Sequence, residues 1–439
     1  MSCPSKGWYS EMLKIDLRKA SRGDLDAVVA REGVDLADAM EKVRPVIGAV
    51  RAGGDAAVRK CATKLDGFRG GALTVPKSRL DSADRRISRD LMSSLVLSKK
   101  RIEAFHKKQV LKPFEFRDGC GYYGQKVIPL DRVGVYVPGG TADYLSTVLM
   151  ACVPAKIAGV EEIALCTPGR RGVVPDGILA AAKMCGVSEV HPVGGAHAIA
   201  AMAYGTESIP KVRKIVGPGG SYVTAAKLLV RNECEIDFLA GPSEVLIIAD
   251  AAASPKFLAS DMLAQLEHDP LARAVLVTTS RGIAQETRME LERMLGRADR
   301  SGIAKRAAKK GAIFVTSPDM QHAIEFANQY APEHLLIDTK NPKAILDEIS
   351  NAGSVFLGTH SSVAFGDYCS GTNHILPTMG AAAMKSALSV YDFVKVMPYQ
   401  SISASGASKL SGTVDTLARS EGLPAHADAA VMRGRRWQR

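Results

Sequence analysis

The chain has 439 residues, 46% of them hydrophobic and 23% charged, and a formal net charge of +11. That length exceeds one ordinary domain, so two or more domains with a large core are expected, and the composition is globular. No run approaches the ~20 apolar residues of a membrane span, and Lys6, Glu11, Lys14 and Asp16 stand where a signal peptide would be apolar, so a cytoplasmic protein with no membrane partner is expected. The basic residues are spread along the chain and aromatics are only 5%, which leaves steering of an anionic ligand as good an account of the charge as any other. The clusters Lys107-Lys108, Lys305-Arg306 with Lys309-Lys310, and the tail Arg433, Arg435, Arg436 and Arg439 carry no RNA-binding aromatic motif, so no nucleic-acid partner is expected. The eight cysteines, Cys3 among them, are dispersed without a C-x-x-C pair, which excludes a zinc ribbon or disulfide framework.

Taken in chain order, the first ~110 residues read as helical, with charged-apolar mixtures over Asp35 to Arg51 and Ser88 to Lys108 and one weak strand, Gly71 to Val75. From Arg132 short apolar runs alternate with helical periodicity. Val133 to Val137, Glu162 to Cys166, Glu189 to Val193 and Lys214 to Val216 read as strands, and Ser146 to Ile157, Gly177 to Cys185 and Ala196 to Tyr204 as helices. That alternation is the mark of a parallel βαβ sheet. A second series follows Ala240-Gly241-Pro242, with strands Glu244 to Ala249, Ala274 to Thr278, Ala312 to Val315, Leu335 to Asp338 and Ser354 to Leu357 between helices such as Ser254 to Glu267 and Arg281 to Leu295. The fold class is therefore α/β, two consecutive incomplete Rossmann-like parallel-sheet domains with small helical N- and C-terminal elements. Beyond about Ser386 the chain reads as a polar, helical appendage.

Several constellations could carry chemistry. Glu333-His334 follows Pro332, which disfavours helix for Ala331, and leads into the apolar run Leu335-Leu336-Ile337. His is the side chain most easily poised near neutral pH and Glu is tuned upward by burial; a surface Glu beside a capping His is the bland alternative. Gln265 and His268 share a helical face, weakly metal-like by spacing alone. Gly366 to His374 is dense in small and polar residues and holds Asp367 and His374, either a functional loop or a turn with side-chain caps. Glu421 and His426 flank Gly422-Leu423-Pro424. Together Gln265, His268, Asp367 and His426 make a mixed N/O ligand set suited to zinc or a similar divalent ion. Glycine-rich turns at Val137 to Thr141, Val193 to Ala196 and Gly217 to Gly220 place flexible backbone between a strand and a helix N-terminus, where phosphate binds, but none matches a dinucleotide fingerprint or P-loop. His106, His191, His322 and His360 have no partner pattern and read as structural, as does His197 by pattern alone.

At these residues the chain resembles the histidinol dehydrogenase family. The matching blocks are Gly134-Val-Tyr-Val-Pro-Gly-Gly140, Ala240-Gly-Pro-Ser-Glu244, Gln265-x-Glu-His268, Pro332-Glu-His334, Gly366-Asp-Tyr-x-Ser-Gly-Thr-Asn-His374 with Leu376-Pro377-Thr378, and Glu421-x-Leu-x-Ala-His426, in family order. The resemblance implies Gln265, His268, Asp367 and His426 as zinc ligands and Glu333 with His334 as the acid-base pair. It implies Ser146, Ser243, His374 and Glu421 as further substrate contacts beside the ligands and His334, and Tyr136, His197 and Gly220 as positions that contact NAD. It also implies a four-electron oxidation of L-histidinol through L-histidinal to L-histidine with two NAD, in a homodimer whose C-terminal element reaches into the neighbouring site. The organisation implied is a helical arm over 1–30, a larger discontinuous α/β domain over 31–135 and 243–385, a second, NAD-side α/β domain over 136–242, and a C-terminal helical element over 386–439. Three positions depart from the family: His197 stands where Gln is usual, Gly220 where Asn is usual and Asp143 where Pro is common. The first two bear on NAD binding and on the choice of NAD over NADP. A same-scaffold dehydrogenase of another small polar alcohol, such as a sulfonated diol, is the alternative; the retained Glu421 and intact Asp367-to-His374 block favour histidinol.

Overall fold

The computed structural model describes residues 12–31, 36–69, 71–139, 143–239 and 241–435. Of the positions singled out above, Cys3, Lys6, Glu11, Asp35, Gly140, Thr141, Ala240, Arg436 and Arg439 lie outside the described residues. In chain order the strands are β1 (Leu13–Asp16), β2 (Phe114–Arg117), β3 (Gly121–Pro129), β4 (Arg132–Tyr136), β5 (Glu162–Cys166), β6 (Glu189–His191), β7 (Lys214–Val216), β8 (Glu235–Ile236), β9 (Glu244–Ala249), β10 (Arg273–Thr278), β11 (Ala312–Thr316), β12 (His334–Asp338), β13 (Ser354–Leu357) and β14 (Val394–Ile402).

Two parallel sheets carry the two α/β units, as the alternating pattern predicts. The first is five-stranded, in the order β6-β5-β4-β7-β8, and the second six-stranded, in the order β1-β11-β10-β9-β12-β13. Their strands are nearly continuous apolar runs because helices cover both faces; every residue of β9 and β12 is buried. In the first sheet the order reverses between β4 and β7, and in the second between β9 and β12. Such reversals open a crevice at a sheet edge. Between them run helices with ordinary boundary chemistry: Pro255 opens Pro255–Leu266, Ser280 caps Arg281–Leu295 by accepting from the Ile283 N–H, and Asp319 caps Met320–Tyr330 through the His322 N–H.

Other expectations are corrected. Gly71 to Val75 is not a strand; it is an irregular segment whose Val75 N–H reaches the Val190 carbonyl while Leu73 packs into the core. The N-terminal stretch read as helical contributes β1, a parallel edge partner of β11, before its helix Arg22–Ala30. The C-terminal stretch read as helical opens with the nine-residue strand β14, which pairs antiparallel with β3 along its whole length, and β2 completes a third, antiparallel sheet. The helices Ala404–Ser420 and Pro424–Gly434 follow β14 as an antiparallel pair. The long helix Leu36–Leu65 lies against helices of the first unit, and the helix Arg89–His106 packs on helix Leu145–Ala158 while Ser98 and His106 also reach Tyr368 and Asn373.

Candidate active site

Helix Met320–Tyr330 ends at Ala331, whose left-handed φ of 47° turns the chain so that Pro332 and Glu333 lead directly into β12. Glu333 and His334 are thereby carried to the N-terminal edge of the second sheet, where β12 lies between β9 and β13. Both are buried, at 5% and 4% exposure, so the bland reading of a surface pair does not hold. The main chain of Glu244, first residue of β9, holds them both. Its N–H donates to Glu333 Oε2 at 2.8 Å, and its carbonyl lies 3.1 Å from His334 Nδ1. A carbonyl only accepts, so Nδ1 carries the proton of the neutral ring and the Nε2 lone pair is left free. His334 Nε2 is buried without a hydrogen-bond partner and lies 3.6 Å from Asp367 Oδ1.

Without a bound cation, the carboxylates beside His334 favour protonation of that free Nε2 as well. Burial drives the Glu333 pKa up to about 8. Burial works to lower His334, but the Glu333 and Asp367 carboxylates beside it outweigh this and push it up to about 9. Burial works to raise Asp367, and the imidazoles of His334, His374 and His268 overcome it, so its carboxyl stays below the usual range. His268 and His374 are both lowered, chiefly by desolvation.

Asp367 lies in the last turn of the short helix Val363–Tyr368, so the loop read over Gly366 to His374 begins only at Cys369. His374 Nδ1 sits 2.7 Å from the Asp367 carbonyl, and its Nε2 is 3.4 Å from Thr147 Oγ1. Thr147 follows Ser146 in the first turn of helix Leu145–Ala158, and Asn373 Nδ2 donates to the Met150 carbonyl on that helix at 2.8 Å. The candidate site therefore lies where helix Leu145–Ala158 of the first unit, through Thr147 and Met150, meets the Asp367–His374 segment. Ser243 precedes β9, its carbonyl accepting from the Arg273 N–H, and Gln265 is buried on the last turn of helix Pro255–Leu266. His268, just beyond that helix, is solvent-accessible yet within electrostatic reach of Asp367 and His334.

A divalent cation fits these donors: a buried amide, an imidazole kept neutral and a carboxyl kept ionised. The other two implied positions lie elsewhere. His426 and Glu421 are exposed on the C-terminal helical pair, and among the described residues no group of three or more His, Cys, Asp and Glu side chains gathers to hold a metal.

On the first sheet, Tyr136 ends β4 at the order reversal, buried, with its hydroxyl accepting from the Gly195 N–H at 3.1 Å. Burial raises that phenol to about 12. Gly220 caps helix Ser221–Val230 with open space where a side chain would stand, so this chain lacks the Asn that the family usually offers there. His197 is fully buried and has a partner that pattern alone did not show: its Nε2 is 3.0 Å from Asp66 Oδ2, which also accepts from the Gly194 N–H at 2.9 Å. Asp143, the third departure, pairs with Arg170 at 2.9 Å.

A family model described as histidinol dehydrogenase matches residues 29–434. The chain belongs to the histidinol dehydrogenase family. It is 46% identical over 422 residues to the histidinol dehydrogenase of Methanothermobacter thermautotrophicus, covering 95% of this chain and 98% of that protein. It is 42% identical over 424 residues to that of Salmonella typhi, covering 95% and 97%. The crystal structure of histidinol dehydrogenase from Elizabethkingia anophelis superposes with a TM-score of 0.91 at 34% identity, covering 96% of this chain and 98% of that one. The chain is thus a dehydrogenase of the histidinol dehydrogenase family, with the α/β fold of its relatives.

Proposed function

We propose that the chain is a zinc-dependent histidinol dehydrogenase that oxidises L-histidinol through L-histidinal to L-histidine with two NAD, as a homodimer with shared active sites. The observation that carries this is the coupling of Glu333 and His334 to the Glu244 peptide groups, which leaves His334 Nε2 free and facing Asp367. Zinc, held by Gln265, His268 and Asp367 with His426 from a second copy, would supply Lewis acidity and a fixed anchor for the substrate amine and imidazole.

His334 Nε2, in the neutral form of the ring, would take the alcohol proton, and NAD when bound would supply the hydride acceptor. Glu333, its pKa raised by burial, then serves as the base for the water that adds to the aldehyde. Glu421 from the second copy and Asp367 complement a cationic substrate. Ser146, Ser243 and His374 would orient it, and Tyr136, His197 and Gly220 mark the NAD side, at the β4/β7 reversal where an α/β sheet binds such ligands. Retention of the aldehyde in a site closed between two sheets protects it from loss.

The test is to give zinc-loaded protein L-histidinol and NAD and look for histidine. Histidine formation supports the reading, and bound zinc without histidine formation overturns it.

A further inference from the structure

A buried ion pair lies beneath Glu333 and His334 without touching them through a side chain. Arg31 grips Glu244 with two hydrogen bonds, Nε to Oε2 at 2.7 Å and Nη2 to Oε1 at 2.8 Å, and the two side chains are 3% and 1% exposed. The same Nη2 donates to the Tyr330 carbonyl at 2.6 Å, and Nη1 donates to the Val29 carbonyl at 3.1 Å. The guanidinium stacks 3.9 Å over the Tyr330 ring, whose hydroxyl donates to Glu244 Oε2 at 3.0 Å. One arginine thus ties together the two chain segments that meet at the acid-base pair. One segment is the entrance of β9, where the Glu244 N–H and carbonyl serve Glu333 and His334. The other is the turn Tyr330-Ala331-Pro332 that delivers those two residues.

Stability alone is a poor reason for this arrangement. Desolvating an arginine and a glutamate costs about as much as their attraction returns, and apolar side chains of similar volume often fold as well. Arg31 also takes a φ of 52°, a conformation that L side chains rarely adopt and that persists where surrounding contacts over-determine it. Apolar packing does not fix the direction of a peptide group, whereas a two-pronged guanidinium-carboxylate contact does.

We infer that Arg31 is a positioning residue for the oxidation, with Glu244 as its anchor, a role that rests on the reading of Glu333 and His334 as the acid-base pair. Arg31 acts through main-chain groups: it sets the Glu244 peptide units that orient the Glu333 carboxylate and keep the His334 proton on Nδ1.

The test compares Arg31→Met, Arg31→Lys and Glu244→Gln with the full-length zinc-loaded enzyme. Two readouts are followed, steady-state kinetics and nitrogen NMR of isotope-labelled imidazoles, with the His334 signal identified by its loss in His334→Asn. Arg31→Met is expected to lose at least about tenfold in kcat, with KM for L-histidinol within about twofold, zinc content unchanged and the single Nδ1–H tautomer of His334 replaced by a mixture. Arg31→Lys, which keeps the charge and loses the fork, is expected to recover part of the loss and carries the test if the Met variant does not fold. Unchanged kcat and tautomer in a folded variant overturn the inference, as does a loss of kcat that Lys does not lessen and that comes with lost zinc. Should the parent enzyme not turn over L-histidinol, the functional reading fails while the tautomer comparison still decides the positioning role.

Discussion

At the scale of single residues, the division of labour within the acid-base pair has separable consequences. His334→Asn is expected to lower the overall oxidation by roughly 10²- to 10⁴-fold while zinc content stays intact, measured by turnover and metal analysis together; loss of zinc would make His334 a ligand instead. The same pair links stability to pH. In the folded chain Glu333 is raised from 4.5 to about 8 and His334 from 6.5 to about 9, so both groups bind protons more tightly than in the unfolded chain. The cost of ionising buried Glu333 accordingly grows as pH rises from 4.5 through 8, and the stabilisation from protonated His334, complete below 6.5, is lost as pH rises through 9. Metal-free protein should therefore lose stability from pH 5 to 9, and Glu333→Gln should flatten that fall by a few kcal/mol at most, as read from denaturant melts; a parallel pH profile in the variant would contradict the burial argument. The adjacency of the pair, its proline and its apolar strand are all visible in the sequence. Arg31 and Asp66 are not, because their partners Glu244 and His197 lie 213 and 131 positions away and no local pattern announces such contacts.

Among elements, the buried parallel strands were legible because a strand covered on both faces must be a continuous apolar run; β5, β7 and β9 fall where the sequence places them. β2, β3 and β14 were not. All of β2 is exposed, β14 is exposed over most of its length, β3 is mostly half-buried, and β14 pairs with a strand far earlier in the chain, so neither apolar content nor local spacing marks them. The glycine turns were legible as turns, and the structure adds what each must do. Gly217 has a φ of 115°, and a Cβ there would stand 2.0 Å from the Tyr136 carbonyl oxygen at the end of β4. A buried ion pair pins the turn: Lys227 Nζ donates at 2.6 Å to both the Gly217 carbonyl and Asp237, and Asp237 accepts from the Gly217 N–H at 2.7 Å. Gly217→Ala should destabilise the first sheet by roughly 2–4 kcal/mol and weaken NAD binding, checked by thermal melts and cofactor titration. A variant with the parent melting temperature and NAD affinity would show that the turn does not constrain the cofactor side.

At the scale of the whole molecule, the site residues that the resemblance implies fall into two groups. Asp367, His334, His374 and His268 lie within electrostatic reach of one another, while Glu421 and His426 stand exposed on the C-terminal helices, a pair that also presents Leu410, Val414, Leu417 and Met432 to the outside. An open amphipathic face of this kind is what a partner subunit would cover. If sites are shared, mixing His334→Asn with His426→Ala subunits leaves one site of each hybrid dimer intact, and random pairing should restore about a quarter of the parent activity; no recovery after mixing would place His426 outside its neighbour's site. Two successive oxidations in one site, as proposed, fix the ratio of products. The most direct measurement is the ratio of NADH formed to histidine formed from L-histidinol, compared between the parent enzyme and Glu333→Gln. The proposed two-step oxidation predicts about two NADH per histidine for the parent, and for the variant about one NADH per histidinol consumed with the aldehyde accumulating. A parent enzyme that stops at the aldehyde, or a Glu333→Gln variant that still makes histidine at the parent rate, would contradict it.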